Sequence, residues 1–153
     1  MPYHSILPAQ PEHADILTQI TIAAKRHWNY PENWIQIWLP LLTITPEYIS
    51  GHETWITTLN DKPVAYYSLK EAENALWLDN LWVFPEHMGK GIGKELFIHA
   101  LERSRKRGAS VLKIEADPNA ESFYSHVGAD KVGEVSTEVD GTLRILPIME
   151  YKL

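Results

Sequence analysis

The N-terminal third of the chain carries apolar residues at helical spacing. Between residues 11 and 28 they recur three or four positions apart, which places them on one face of a helix. These residues are Ile16, Leu17, Ile20 and Ala24. A second helix is predicted from Pro31 and should end at Pro40, because proline lacks the amide proton that continues a helix. A strand at residues 6–7 is expected before these helices, and a helical turn at residues 46–51 after them.

The rest of the chain is divided by turn-forming residues into short apolar runs. Residues 60–62 separate two such runs, and Asp140-Gly141 separates another two, as is typical of tight turns between antiparallel strands. A long amphipathic helix is expected at residues 92–107. Asp117-Pro118 has the residues of a helix start, and that helix should end at Gly128. The predicted strands cover residues 54–59, 64–69, 75–84, 111–116, 130–139 and 143–151. Because strands and helices alternate only in part, the pattern predicts an α/β protein with a mixed sheet.

The strongest chemical signal lies in residues 81–97, where an apolar strand passes through Pro85 into a loop with three glycines. These are Gly89, Gly91 and Gly93. Glycine lets the backbone approach a ligand closely. The first turn of the following helix presents free N–H groups and the positive end of the helix dipole. The segment therefore predicts a cradle for a phosphate or pyrophosphate.

The glycine spacing excludes two common phosphate loops. A P-loop has four residues between its first glycine and the Gly-Lys-Ser/Thr triplet, whereas only three separate Gly89 from Gly93 here, and Glu95 follows Lys94. A Rossmann loop requires Gly-x-Gly-x-x-Gly. The third glycine position is occupied by Lys94 when counting starts at Gly89, and by Leu96 when it starts at Gly91.

The segment resembles the acyl-CoA loop of the GNAT (GCN5-related) N-acetyltransferase superfamily. In that family a strand with Val-x-Pro leads through a short linker to Arg/Gln-x-x-Gly-x-Gly/Ala at the start of a helix. Val83, Pro85, Gly91 and Gly93 match this pattern. Met88 stands at the usual Arg or Gln position, a departure that leaves donation by backbone N–H groups unaffected.

A second segment of the same family follows in the expected order. The family's Asn-x-x-x-Phe-Tyr-x-x-x-Gly pattern is matched by Asn119, Phe123, Tyr124 and Gly128. The two motifs together cover residues 74–134 and are much more specific than either alone.

The resemblance implies a fold, a co-substrate and its contacts. The expected fold is a central mixed, mostly antiparallel sheet of about seven strands with helices on both faces, in which two central strands diverge around acetyl-CoA. No metal is required. Backbone groups of residues 81–83 are expected to pair with the pantetheine amides as an added strand would. The expected acetyl-CoA contacts are Leu81, Trp82, Val83, Met88, Gly89, Lys90, Gly91, Ile92, Gly93, Lys94, Asn119, Phe123 and Tyr124.

Transfer of an acetyl group to an amine requires a base and an acid. An amine of pKa ~10.4 is neutral in roughly one molecule in 10³ at pH 7, and only the neutral form attacks. Asp79 lies four residues before Val83, where many family members carry Glu, and we expect it to be buried among tryptophans and to act as the base through a water molecule. A purely structural role in the sheet is the alternative, and His52 and Glu53 are reserve candidates.

The resemblance gives Tyr124 the role of protonating the departing CoA thiolate. A phenol of pKa ~10 donates to a thiolate of pKa ~8.5 almost thermoneutrally. The alternative for Tyr124 is packing on the sheet.

The acceptor is expected to contact an aromatic segment after the first helix. Trp28 and Tyr30 are the predicted substrate-binding residues, since aromatic rings attract an ammonium group by cation–π contact. Trp34 and Trp38 lie in the same segment and are expected to pack in the core. Polyamines, other small amines, amino acids and protein N-termini all remain open as acceptors.

Composition limits the class of protein. The 153 residues are expected to form one N-acetyltransferase domain over residues 1–153, carry a net charge of −6 and include no cysteine. Disulfides, thiolate metal sites and a cysteine nucleophile are therefore excluded. The acidic charge suits a cationic substrate better than a nucleic acid. No apolar run reaches the ~20 residues of a membrane span and no secretory signal is visible, so we expect a cytoplasmic protein. A homodimer is compatible with the family.

Two other functions remain open from the sequence. The first is a GNAT-like module that binds acyl-CoA as a sensor or regulator without efficient catalysis, motivated by Met88 and the short side chain of Asp79. The second is a domain that binds nucleotides or nucleic acid, which the charge and the glycine spacing disfavour.

Overall fold

The computed structural model describes residues 4–153 and contains a seven-stranded sheet flanked by five helices within that range. The strands are β1 (His4–Pro8), β2 (Thr54–Leu59), β3 (Lys62–Ala72), β4 (Ala75–Val83), β5 (Val111–Glu115), β6 (Asp130–Val139) and β7 (Thr142–Lys152). The helices are α1 (Ala14–His27), α2 (Glu32–Leu42), α3 (Pro46–Gly51), α4 (Ile92–Lys106) and α5 (Glu121–His126). The strand order is β1-β2-β3-β4-β5-β7-β6.

Strands β4 and β5 form the one parallel pair of this sheet among residues 4–153, and they pair only briefly. Their register covers Leu76↔Leu112 and Trp77↔Lys113, after which the strands separate. The other neighbours in the sheet are antiparallel. The mixed, mostly antiparallel sheet expected from the sequence is therefore confirmed, and so is the divergence of two central strands.

Helices cover both faces of the sheet because the strands are apolar on both sides. Tyr66 of β3 packs with residues of α1, whereas its neighbour Tyr67 packs with residues of α4. The two side chains point to opposite faces, as successive residues of a strand must. Both are fully buried. The expected inward face of α4 is also confirmed, since Ile92, Leu96, Ala100 and Leu101 are all buried.

Helix α2 continues two residues beyond its predicted end. The prediction that it stops at Pro40 is wrong, because the helix ends at Leu42 and Pro40 lies inside its last turn. Proline lacks its own amide donor, but the helix continues past it to a last bond from Thr43 N to Leu39 O at 3.0 Å. Within residues 4–153, no helix is both long and apolar enough to cross a membrane.

The segment after β5 begins as expected with a capped turn. The Asp117 side chain accepts a hydrogen bond from the Asn119 amide at 2.9 Å, and a short 3₁₀ turn then leads into α5. Gly128 follows α5 with a φ of +106°, a conformation that side chains with a Cβ rarely adopt. A Cβ at this position would lie 3.1 Å from the ring of Tyr151 in β7. The turn therefore holds α5 close to the sheet.

We expect Gly128→Ala to lower the free energy of unfolding by about 1–3 kcal/mol, because alanine would be strained at this φ and would crowd Tyr151. The thermal midpoint should fall by several degrees, measured by circular dichroism. Gly133→Ala is the matched control, since its Cβ would meet nothing within 4 Å and its φ lies outside the left-handed region. Equal losses in the two variants would contradict this explanation.

Candidate active site

A cavity of about 700 Å³ opens where β4 and β5 separate. The last residues of both strands, the glycine loop and α5 form its walls. Eleven residues expected to contact acetyl-CoA line it, namely Leu81, Trp82, Val83, Met88, Gly89, Gly91, Gly93, Lys94, Asn119, Phe123 and Tyr124. The two sequence motifs, about 30 residues apart along the chain, thus face one cavity.

The glycine loop has the backbone geometry that its sequence predicts. Gly89 and Gly91 have φ angles of +78° and +83°, and α4 begins directly after Gly91. The Glu95 amide makes the first bond of this helix, to Gly91 O at 3.0 Å. The N–H groups of residues 92–94 therefore precede the first bond of the helix and lie at its positive end.

Gly93 and Phe123 bring the two motifs into contact. A Cβ at Gly93 would lie 3.5 Å from the Phe123 ring and 3.8 Å from a Val83 methyl group. These are ordinary contact distances, so the first turn of α4 packs directly beside the Phe123 ring of α5. Two residues of the predicted set lie elsewhere: the Ile92 side chain is buried in the core, and Lys90 Nζ lies 3.2 Å from His87 Nδ1.

Tyr124 is a buried residue in the wall of this cavity. Its ring packs against Phe97 and Phe123, with ring centroids 5.9 and 5.1 Å away. Within the described residues its hydroxyl makes no hydrogen bond. Burial, with a smaller effect of the Asp117 charge, raises the pKa of Tyr124 well above its ordinary value. The phenol is therefore a weaker acid than the sequence suggested.

Asp79 is exposed, so the expectation that tryptophans bury it is wrong. The residue forms a β-bulge: Asn80 opposes Ser68 and Leu78 opposes Leu69, which leaves Asp79 without a partner in β3. Its carboxylate accepts a hydrogen bond from the hydroxyl of Tyr48. A bulge bends the strand and redirects its side chain.

A second cavity of about 510 Å³ meets the first at the same point. The two share Leu78, Asp79 and Glu115, which lie where β4 and β5 separate. Three carboxylates and one ammonium group stand in the lining of the second cavity. Its full lining is Lys70, Ala72, Glu73, Trp77, Leu78, Asp79, Glu115, Val135 and Ile148.

A buried charged cluster supports the β5 wall of the first cavity. Lys25 Nζ of α1 lies 2.7 Å from Asp117 Oδ2, and both side chains are nearly inaccessible, at 11% and 6% exposure. Arg144 of β7 lies 3.7 Å from the same oxygen. The Tyr30 hydroxyl donates to Asp117 at 2.9 Å and accepts from Arg144 at 2.8 Å. The cluster thus joins α1, β7 and the turn after β5.

For each member of this ion pair, burial and the charge of the partner shift the pKa in opposite directions. Burial lowers the pKa of Lys25, although the Asp117 charge opposes this effect. Burial alone would raise the pKa of Asp117, but the Lys25 charge and hydrogen bonds from Lys25, Asn119 and Tyr30 hold it below its usual range. Asp117 therefore remains an anion at neutral pH.

The aromatic segment after α1 is already occupied by cations of this chain. Lys25 Nζ lies 4.5 Å from the ring of Trp38 and 5.2 Å from that of Tyr30. The Arg144 guanidinium lies 4.8 and 5.1 Å from the same rings. Trp28 lines the first cavity, whereas Tyr30 is not in the lining of either cavity. The hypothesis of an aromatic cage for the acceptor is thus not favoured at Tyr30.

Three other candidates are engaged with neighbouring residues. The Asn119 amide group donates to Tyr30 and to Asp117, both at 3.0 Å.

Glu53 binds Arg103, Arg107 and Trp55 and lines neither cavity. Hydrogen bonds from these residues outweigh the effect of burial and lower the pKa of Glu53. The His52 ring stacks on Tyr48, 4.1 Å away. Neither reserve base lies in a cavity wall.

The sequence alone does not predict that Tyr48 or Glu115 lies near Asp79. Tyr48 lies 31 positions before Asp79, and no local pattern connects them. Glu115 had a usable signal, because it ends the strand that runs parallel to β4 and so stands level with Asp79.

Among residues 4–153, no group of three or more His, Asp or Glu is placed to hold a metal ion.

The chain belongs to the acetyltransferase (GNAT) family, whose family model matches residues 17–129. A GCN5-related N-acetyltransferase from Rhodopseudomonas palustris has a similar structure, with a TM-score of 0.84, 25% identity, and 97% of this chain and 95% of that chain covered. The PaiA N-acetyltransferase from Thermoplasma acidophilum, in complex with coenzyme A, gives a TM-score of 0.79 at 20% identity, with 99% of each chain covered.

A further similar structure shares the fold at lower identity. The ribosomal-protein-S18-alanine N-acetyltransferase from Escherichia coli gives a TM-score of 0.72 at 17% identity, with 98% of this chain and 94% of that chain covered. No functionally curated protein matches the sequence.

We expect Lys25→Met to lower the free energy of unfolding by about 3 kcal/mol, because it leaves the buried Asp117 carboxylate with less compensation. The double variant Lys25→Met/Asp117→Asn should lose clearly less than the sum of the two single losses, since both charges of the Lys25–Asp117 pair are then removed. Urea unfolding of the four proteins measures this coupling. Strictly additive losses would contradict the interpretation of the cluster as one unit.

Proposed function

We propose that this protein transfers the acetyl group of acetyl-CoA to an amine. The observation that carries the proposal is the cavity at the divergence of β4 and β5, which residues of both family motifs line together. Family membership favours acyl transfer. In this proposal acetyl-CoA supplies the activated acetyl group as a thioester, and the protein positions the reactants and handles two protons.

The donor site fits an extended chain that ends in a diphosphate. The edge of β4 beyond Trp77 is released from β5, so its backbone groups can pair with the amides of a pantetheine arm as an added strand would. The free N–H groups at the start of α4 suit the diphosphate. Lys94 in the cavity wall adds positive charge.

The acceptor amine is proposed to enter through the second cavity. Glu73, Asp79 and Glu115 give its lining a negative charge that attracts an ammonium group, and the net charge of −6 acts in the same direction. Trp77, Val135 and Ile148 supply apolar surface beside these carboxylates. A primary amine with an apolar flank fits this lining.

Asp79 is proposed to take the proton of the attacking amine. It is one of the two carboxylates, with Glu115, at which the donor and acceptor cavities meet, and its exposure gives water access to the carboxylate. As the nitrogen bonds to the thioester carbon, its proton passes to Asp79, directly or through water.

Tyr124 is proposed to return a proton to the sulfur as the C–S bond breaks. Burial weakens this phenol as an acid. The same burial disfavours a free thiolate in the cavity and so raises the pKa of the leaving thiol as well. The gap between the two pKa values therefore widens by less than the rise in the pKa of Tyr124 alone.

Coenzyme A and acetyl-CoA should both raise the thermal midpoint, whereas ATP and NAD should not. A ligand at about 100 times its Kd adds about 2.7 kcal/mol. For a chain of this length that corresponds to roughly 5–10 °C, measured by differential scanning fluorimetry. A response to ATP without a response to coenzyme A would contradict the proposed donor.

Gly91→Ala and Gly108→Ala form a matched pair for this measurement. Both glycines flank α4 with φ angles near +80° and open space at the Cβ position, but only Gly91 lines the cavity. Both variants should lose similar stability, and only Gly91→Ala should weaken the response to coenzyme A.

Tyr124→Phe should lower kcat by about 10²-fold, because the departing thiolate loses its proton donor. The KM for acetyl-CoA should change little, since the ring and its packing remain. Thiol release with a panel of primary amines measures both constants. Tyr151→Phe is the control, because that residue lines neither cavity. Full turnover by Tyr124→Phe would exclude this tyrosine as the acid.

A further inference from the structure

The bulge at Asp79 is held by a network of side-chain hydrogen bonds that the sequence does not predict. Asp79 opposes no residue of β3, so the sheet itself does not fix its orientation. Four side chains surround the bulge instead: Tyr48 from α3, Ser68 from β3, and Asn80 and Trp82 from β4. Their bonds define where the Asp79 carboxylate lies.

The donors of this network can be assigned because each group has a limited number of protons. Asn80 Nδ2 donates to Ser68 Oγ at 2.9 Å and to the Tyr48 hydroxyl at 3.3 Å. These two bonds use both protons of the amide nitrogen. Ser68 Oγ lies 2.9 Å from the Tyr48 hydroxyl and donates to it, because the one proton of Tyr48 is used in another bond. The single proton of Tyr48 goes to Asp79 Oδ2, which as a carboxylate can only accept.

The hydrogen bonds therefore run in one direction, from Trp82 through Asn80, Ser68 and Tyr48 to the Asp79 carboxylate. Asn80 Oδ1 accepts from the Trp82 indole at 3.0 Å, which fixes the orientation of the Asn80 amide. The Tyr48 oxygen accepts two hydrogen bonds while donating one, and such chains strengthen the final bond. Because Asn80 and Ser68 both donate to the Tyr48 oxygen, the Tyr48 proton is left to bond Asp79.

Tyr48 is itself held firmly by α3. Thr45 caps this helix and accepts from the Tyr48 amide at 3.0 Å, and the ring stacks on His52 at 4.1 Å. Burial, together with the bond to Asp79, raises the pKa of Tyr48 far above its ordinary value. The phenol therefore keeps its proton at neutral pH and donates a hydrogen bond to Asp79.

We propose that Tyr48 is a positioning residue that holds one oxygen of Asp79 so that the other faces the junction of the two cavities. The inference rests on the proposed role of Asp79 as the base. Among residues 4–153, Oδ2 is the Asp79 oxygen that carries a hydrogen bond, and Oδ1 carries none. Oδ1 is then the atom that receives the proton from the amine or the intervening water.

The test is a kinetic cycle of Tyr48→Phe, Asp79→Asn and the double variant. We expect Tyr48→Phe to lower kcat about tenfold, as loss of a supporting hydrogen bond commonly does, and to leave the KM for acetyl-CoA within about twofold. Asp79→Asn should lower kcat about 10²-fold. The double variant should be no slower than Asp79→Asn, because Tyr48 then has no base to position.

Tyr66→Phe is the matched control for this cycle. It removes a tyrosine hydroxyl that bonds Thr21 rather than Asp79, from a residue of β3 that lies two positions before Ser68 of the network. Its kcat should stay at the wild-type value. A purely structural role of Tyr48 would lower the thermal midpoint without the selective loss of kcat. Wild-type kcat in Tyr48→Phe, or multiplicative losses in the double variant, would overturn the inference.

A crystal structure of Tyr48→Phe separates this inference from the proposed function. The Asp79 carboxylate should rotate or occupy more than one conformer, whether or not any amine is turned over. An unmoved carboxylate would overturn the positioning role. An ordered wild-type Asp79 in a protein that neither binds coenzyme A nor releases thiol would instead overturn the proposed function.

Discussion

The early separation of β4 from β5 is the constraint on which the rest of the structure depends. Two residue pairs are enough to hold the strands side by side, and beyond them each strand keeps backbone groups free along one edge. A sheet interior normally pairs such groups, because leaving them unpaired and buried is costly. Here they border a cavity instead, together with the free amides at the start of α4. The gap is therefore a place where an extended polar chain can supply the missing partners.

A sheet that opens in its centre needs another means of holding its two halves. The Lys25–Asp117–Arg144 cluster serves this purpose, since it joins α1 to β7 and to the turn that follows β5. Burying three charges is expensive, and the pair attraction alone rarely repays the loss of hydration. Hydrogen bonds from Tyr30 and Asn119 and the faces of two aromatic rings supply further compensation. The cluster therefore connects the two halves of the sheet beside the cavity wall.

Features that depend on neighbouring residues could be predicted from the sequence, and features that depend on distant side chains could not. The hairpin at Asp140-Gly141, the cap at Asp117 and the glycine loop before α4 follow from local backbone preferences, and the structure confirms each of them. The roles of Tyr30 and Asp79 depend on other parts of the chain. Arg144 reaches the Tyr30 hydroxyl from 114 positions away, and Tyr48 reaches Asp79 from 31 positions away. Residue types indicated an amine site, but only the fold showed that the aromatic rings already hold cations.

The acidic lining of the second cavity creates a conflict that the proposed mechanism must resolve. Carboxylates that attract an ammonium group also stabilise its protonated form, and so they oppose formation of the neutral nucleophile. Asp79 is exposed at the junction of the two cavities and accepts a hydrogen bond from Tyr48, so the bulge and this bond fix its position. In the proposed mechanism proximity resolves the conflict, because a carboxylate held beside the amine and close to water acts at a high effective concentration. The hydrogen bonds around the bulge fit this proposal, because they fix the position of the Asp79 carboxylate.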